Sequence, residues 1–341
     1  MIKQLHFLTL CILAILIVTG CNLYSQSNMP MPTESVEMEQ FDFSTRYLKT
    51  QKPALYRLAS QLTQTEVHVL DTLSAAERRF IEESVDPPMV GVIRNLPEPV
   101  VFDLTGIVIP DKGEVSAAGG RISRIHEDTL VYTTRFISWK ADQLRVFFES
   151  GYFPGGVQVN VFGDNGQAFR QQELSGLLDE YGFYTTSLFS GALTIQVVIP
   201  LNSKDERSIS FTISKIIHVD ERYIEKENLR DCYIDANCPY ANEFTYINQL
   251  RRSTAFLYFP VGAGYAICTG GLLNDARTKD FQPYLLTANH CFDTQTSAAG
   301  LEAVFYYYSK ACNNDTANPS IVVVNGSNLI DRKSTRLNSS H

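Results

Sequence analysis

Past its first 21 residues, the 341-residue chain has no apolar run long enough to cross a bilayer as a helix. It also lacks basic charge. The net charge of −8 leaves nothing like the basic patch that a nucleic-acid partner requires. Tryptophan occurs once and histidine six times, so each position of these two residues carries information. No cysteine lies between Cys21 and Cys232. The later cysteines are separated by 6, 30, 23 and 21 residues, with no C-x-x-C and no H-x-x-x-H pair. That spacing argues against a zinc site, and neither a metal nor an organic cofactor is expected.

The one long apolar run stands at the start. "MIKQLHFLTLCILAILIVTGCN" has an early lysine, a short apolar core and then Val18-Thr19-Gly20-Cys21. This is the layout of a secretion signal. Its ending resembles a bacterial lipobox, in which the cysteine is lipidated and becomes the first residue of the mature chain. A diacylglyceride plus an amide-linked chain on Cys21 would meet the requirement of about two chains for stable anchoring. The expected location is the bacterial cell envelope, with the lipid membrane as a partner through Cys21. Residues 22–45 are polar and proline-bearing, and read as a tether.

The length allows about two domains. Residues 53–85 look helical, with Ser74 and Glu77 at capping-box spacing ahead of "AERRFIEES" and Pro87-Pro88 as a stop. Residues 46–97 are accordingly read as a partly helical pro-region. From 98 to 220 short β-branched and aromatic runs such as "QLRVFFES", "ALTIQVVIP" and "SISFTISKIIHV" alternate with turn-like "PGG", "GDNG" and "NSKDE". That rhythm predicts an antiparallel β-sandwich. Trp139 falls in this block and is expected in its core. His126 and His218 have no partner pattern and are expected at the surface or at strand ends. A charged stretch at 220–231 is the expected domain boundary, with Arg230 a candidate processing point.

Cys232, Cys238, Cys268, Cys291 and Cys312 follow that boundary. In an exported protein they are expected as disulfides, and the odd count leaves one without a partner within the chain. "YAICTGGLLN" (265–274) and "QPYLLTANHC" (282–291) are two apolar strands around a polar connection, which reads as a hairpin. The hairpin brings Cys268 near Cys291. A bridge there would close a loop of about 24 residues, worth roughly 3 kcal/mol in the chain-entropy model. It would also fix the backbone beside His290, and a general base needs such fixing.

The pair "CTGGLLN" and "PYLLTANHC" resembles the first barrel of chymotrypsin-fold serine endopeptidases. There a T-A-x-H-C signature carries the catalytic histidine. The close cysteines of "DCYIDANCPY" and the segment "RRSTAFLYF" (251–259) make the chain similar to the lysyl endopeptidase-like bacterial branch. The resemblance covers about 232–330. It implies the N-terminal half of a trypsin-like domain, the first β-barrel of a double β-barrel, with protein or peptide substrates. It implies His290 as the catalytic base, Cys268 paired with Cys291, Cys238 with Cys312, and Cys232 with a cysteine near the far end of the domain. The expected fold is therefore mostly β throughout.

Two triad members are missing from the sequence. No Gly-Asp-Ser-Gly stretch occurs, and no strand of the form Asp-x-x-Leu-Leu follows "VVVNGSNLI". Asp293 is too close to His290 for the family's orienting acid. Residues 331–341 turn abruptly basic and polar, and "RKSTRLNSSH" reads as an artefactual tail on a truncated gene. The expected function is an exported, lipid-anchored serine endopeptidase precursor, inactive as this chain stands. The alternative is a catalytically inert, surface-binding lipoprotein.

Overall fold

The computed structural model describes residues 53–171, 174–201, 206–220, 222–223, 236–238, 243–273, 283–309, 311–312 and 321–330. Cys21, the tether, Arg230, Cys232 and the tail 331–341 lie outside these residues. In chain order the strands are β1 (Val67–Leu70), β2 (Met89–Asp103), β3 (Glu114–Ala117), β4 (Gly120–His126), β5 (Thr129–Ser138), β6 (Gln143–Phe153), β7 (Gln158–Gly163), β8 (Ala168–Gln171), β9 (Gly176–Leu177), β10 (Phe183–Tyr184), β11 (Ala192–Pro200), β12 (Ser210–Val219), β13 (Thr254–Val261), β14 (Gly264–Leu272), β15 (Leu285–Leu286), β16 (Glu302–Phe305) and β17 (Val322–Asn325). The fold is mostly β, as the alternating text predicts.

Two sheets form. In the first, the order is β3-β4-β5-β11-β7-β8, with β1 added to β5 as a parallel strand. The second runs β10-β6-β12-β2-β14-β13-β16-β17, with β9 on β6 and β15 on β14. The sandwich core lies between them. Phe211 is its centre, stacked on Phe102 at 4.7 Å and on Phe153 at 5.8 Å, with Phe148 edge-on at 5.5 Å. Each such ring contributes roughly 1.5–3 kcal/mol by leaving water.

The second sheet does not stop at the charged stretch 220–231. Gly264 and Tyr265 of β14 pair with Val92 and Gly91 of β2, so the cysteine-bearing strands extend the same sheet. Among the described residues no closed barrel forms. Instead the strands shared by the two regions are buried on both faces. In β6, Leu144, Val146 and Phe148 face the sandwich core, and Phe147 faces a second core with Leu257, Phe259 and Tyr265. In β12 a register shift between Ile213 and Lys215 reverses the alternation. Phe211, Ile213 and Ile216 enter the first core, whereas Ile217 and Val219 enter the second. This two-sided burial is why "QLRVFFES" and "SKIIHV" read as continuous rather than alternating apolar text.

A buried polar network crosses from one region to the other. Arg145 of β6 donates to Tyr265 Oη at 2.6 Å, to the Thr185 carbonyl at 2.6 Å and to the Gly300 carbonyl at 3.0 Å. It also donates to Asn325 Oδ1 at 3.2 Å and pairs with Glu302 at 3.5 Å. Glu302 accepts the Ser187 N–H at 2.8 Å. A guanidinium is held in the interior only when its donors are met in this way.

Three expectations need correction. The helix at the start is short, Ala75–Glu83. Its capping box is present, Glu77 N donating to Ser74 Oγ and Ser74 N to Glu77 Oε2, but residues 53–74 contain β1 and a single 3-10 turn instead. Trp139 is 55% exposed. It sits in the turn after β5, where its N–H donates to the Leu70 carbonyl. His218 lies one residue from the end of β12, as one of its two expected placements has it, but it is not at the surface: β12 lies between β2 and β6, and the buried ring meets Ser138 Oγ at 2.8 Å. The hairpin β3–β4 carries no strong strand signal in "EVSAAGGRISRIH". Ala118 and Gly119 both have positive φ, the two-residue turn that matches strand twist.

Candidate active site

The site is built on β14 and the segment after it. β13 and β14 form a tight hairpin with Val261 opposite Gly264. On the other edge of β14, Gly271 and Leu272 pair with Leu286 and Leu285 of β15. The expected hairpin is therefore present, although its polar connection, 274–282, lies outside the described residues. Gly270 has a local reason. A Cβ there would stand 2.9 Å from Leu257 Cδ1 and 3.1 Å from the Leu286 carbonyl, whereas the same test at Gly271 finds open space.

After β15 the chain is pinned at each step. Thr287 Oγ1 donates to the Thr269 carbonyl at 2.9 Å. Cys291 N–H donates to the Ala288 carbonyl at 3.0 Å, closing a turn over Ala288-Asn289-His290-Cys291. Cys268 and Cys291 are joined by a disulfide, with Cα atoms 6.1 Å apart. Phe292 packs on Phe259 with centroids 4.8 Å apart. Thr294 then caps the short helix Gln295–Ala299, and Ser297 Oγ donates to the Pro260 carbonyl at 2.6 Å. Cys238 and Cys312 form a second disulfide. These are the two pairings that the resemblance implies.

His290 rides on this fixed turn with its ring out in solvent. Its Nε2 lies 3.7 Å from Asp86 Oδ1, and the two side chains are 58% and 64% exposed. That distance is too long for a hydrogen bond. Nothing in "VDPP" marks Asp86 as a neighbour of a residue so far along the chain. Asp293 makes no ion pair with His290 among the described residues. The sulfurs of Cys268 and Cys291 and a His290 ring nitrogen all lie within 4.8 Å of one another. The sulfurs are bonded to each other, so they are not available as thiolate ligands.

Residues 227–338 match the lysyl endopeptidase C-terminal domain family. A lysyl endopeptidase of Pseudomonas aeruginosa PAO1 is 26% identical over 208 residues, covering 57% of this chain. The chain is lysyl endopeptidase-like. It spans 44% of the length of that relative. The matched region contains both disulfides, β13 to β17 and His290.

Proposed function

We propose that the chain is the precursor of an exported, lipid-anchored serine endopeptidase in which His290 is the proton-transfer base. The observation that carries this reading is the turn at His290. In the lysyl endopeptidase-like region, a disulfide, a side-chain hydrogen bond and an aromatic contact immobilise the backbone on both sides of one exposed imidazole. General-base catalysis needs that arrangement: a ring free to reach substrate on a backbone that does not move.

In the reaction, His290 Nε2 accepts the proton of a serine hydroxyl as that oxygen attacks the scissile carbonyl. The imidazolium then gives the proton to the leaving amine. An acyl-enzyme remains, and water hydrolyses it by the same route in reverse. The serine and the aspartate that complete such a triad are not assigned to residues of this sequence. The P. aeruginosa relative is named for lysyl bonds, so lysyl peptides are the first substrates to try. The N-terminal strands serve as the pro-region, and Cys21 carries the lipid. Two substitutions test the reading. In a chain carrying the whole protease domain, His290→Ala should abolish peptide hydrolysis and leave the disulfides intact. Hydrolysis unchanged by His290→Ala would sink the assignment. For the anchor, Cys21→Ser should abolish incorporation of labelled fatty acid.

A further inference from the structure

Two sulfurs and an imidazole converge where β14 meets the turn at His290. Cys268 Sγ, Cys291 Sγ and a ring nitrogen of His290 all lie within 4.8 Å of one another. Among the described residues no other three histidine, cysteine or acidic side chains come together in this way. The sulfurs share a bond, and a metal ion needs them apart, as thiolates. The frame around them does not rest on that bond alone. Thr287 Oγ1 donates to the Thr269 carbonyl, Cys291 N–H donates to the Ala288 carbonyl, and Phe292 packs on Phe259. β14 is paired with β13 on one side and with β15 on the other. A chain with the bond cut therefore still presents both sulfurs beside the same ring.

The geometry points to a redox-gated metal site: once the Cys268–Cys291 bond is reduced, the two thiolates and the His290 imidazole bind one zinc ion. Tetrahedral zinc takes sulfur at about 2.3 Å and imidazole nitrogen at about 2.0–2.1 Å, so its ligand atoms stand roughly 3.5–3.8 Å apart. Three atoms already within 4.8 Å reach that spacing by side-chain rotation, with the cysteine Cα atoms left 6.1 Å apart. The reductant is a dithiol. Its thiolate attacks Sγ of Cys268, the less buried of the pair, and Cys291 leaves as a thiolate. The second thiol of the reagent then displaces Cys268. The reagent ends as a cyclic disulfide, and the protein holds two thiols. Zinc expels their two protons on binding. Thiolates select zinc over magnesium or calcium. Asp86 Oδ1, 3.7 Å from His290 Nε2, adds negative charge beside the cation, and the fourth position is left to water. The consequence for catalysis rests on the reading of His290 as the base. With zinc on one ring nitrogen and the proton on the other, the ring has no lone pair to accept a proton. Reoxidation of the thiols releases the metal and frees the base.

Metal binding can be read without catalysis. The 341-residue chain is reduced with a water-soluble phosphine, which takes an oxygen atom from water to become its oxide and leaves no thiol to compete for metal. Zinc is titrated against a chromophoric chelator, and cobalt in place of zinc reports thiolate ligation by its absorption. The reduced chain should keep its β-type circular dichroism. It should bind one zinc ion more than the reduced double variant Cys268→Ser with Cys291→Ser, whose other cysteines are unchanged. His290→Ala should weaken that zinc by more than about tenfold, since losing even an outer hydrogen-bond partner of a ligand costs roughly 10–100-fold in metal affinity. Equal affinity in reduced wild type and His290→Ala overturns the site, because the ring is then no ligand. Equal zinc counts in wild type and the double variant overturn it as well, and so does loss of the fold on reduction. A second arm uses a longer, hydrolytically competent chain, in which zinc should block hydrolysis only after reduction. Zinc held through His290 with hydrolysis untouched supports the site and overturns His290 as the base.

Discussion

Arg145 and Glu302 meet at 3.5 Å with side chains 1% and 2% exposed, one on a strand of the sandwich and the other on a strand of the lysyl endopeptidase-like region. Removing one partner leaves a charge in the interior, and such losses run to about 3–5 kcal/mol. Glu302→Ala should therefore lower the urea midpoint of the whole chain in one transition. Replacing both with apolar residues of similar size should cost much less. Two separate transitions in Glu302→Ala, with the sandwich unaffected, would refute the coupling between the regions.

Gly270 and Gly271 are adjacent and look equivalent in "CTGGLL", yet only the first is crowded. Gly270→Ala must push against Leu257 and the Leu286 carbonyl. Overpacking of this kind costs about 1–3 kcal/mol. Gly271→Ala meets nothing within 4 Å and should be close to neutral. Thermal unfolding of the two variants checks the difference. Equal shifts would show that β15 does not lie against Gly270.

What could be read from the sequence follows from the range of the interaction. The capping box at Ser74 and Glu77 is local, and it forms as spelled. The Cys268–Cys291 hairpin needs only two strands and a turn, and its strands pair. The exposure of Trp139 and the burial of His218 are not legible locally, because burial depends on which strands are central. A turn exposes the first, and two flanking strands bury the second. The shared sheet escaped because periodicity tells how many faces a strand buries but not what covers them. Asp86 beside His290 is the extreme case, since only the β2–β14 pairing brings those residues together.

His218 makes stability depend on pH. Burial and the nearby Arg94 guanidinium hold its imidazole down to about 4, against 6.5 when unperturbed. The folded state thus disfavours the proton that the unfolded state accepts. Stability is full above 6.5 and falls as pH drops from 6.5 toward 4, by an amount on the order of 3 kcal/mol. In His218→Gln this slope should flatten. Glu66 acts in a lower window. Burial would raise its carboxyl, but Arg121 and hydrogen bonds from Thr63 and Ser116 outweigh that and bring it to about 2. Its contribution is lost only as pH falls from 4.5 toward 2. Urea midpoints measured across both windows separate the two groups. A slope between 6.5 and 4 that persists in His218→Gln would assign it elsewhere.

The Cys268–Cys291 bond spans 23 residues. A loop of that size is worth roughly 3 kcal/mol in the chain-entropy model. Its second effect is local. Without it, the turn at His290 keeps the Thr287–Thr269 hydrogen bond and the Phe292–Phe259 contact, but loses the covalent tie between them. The double variant Cys268→Ser with Cys291→Ser should therefore unfold at lower temperature. It should also show faster amide hydrogen exchange across Ala288–Phe292 than the global loss of stability explains. Exchange there that rises only in step with the rest of the second core would mean that packing alone holds the imidazole in place.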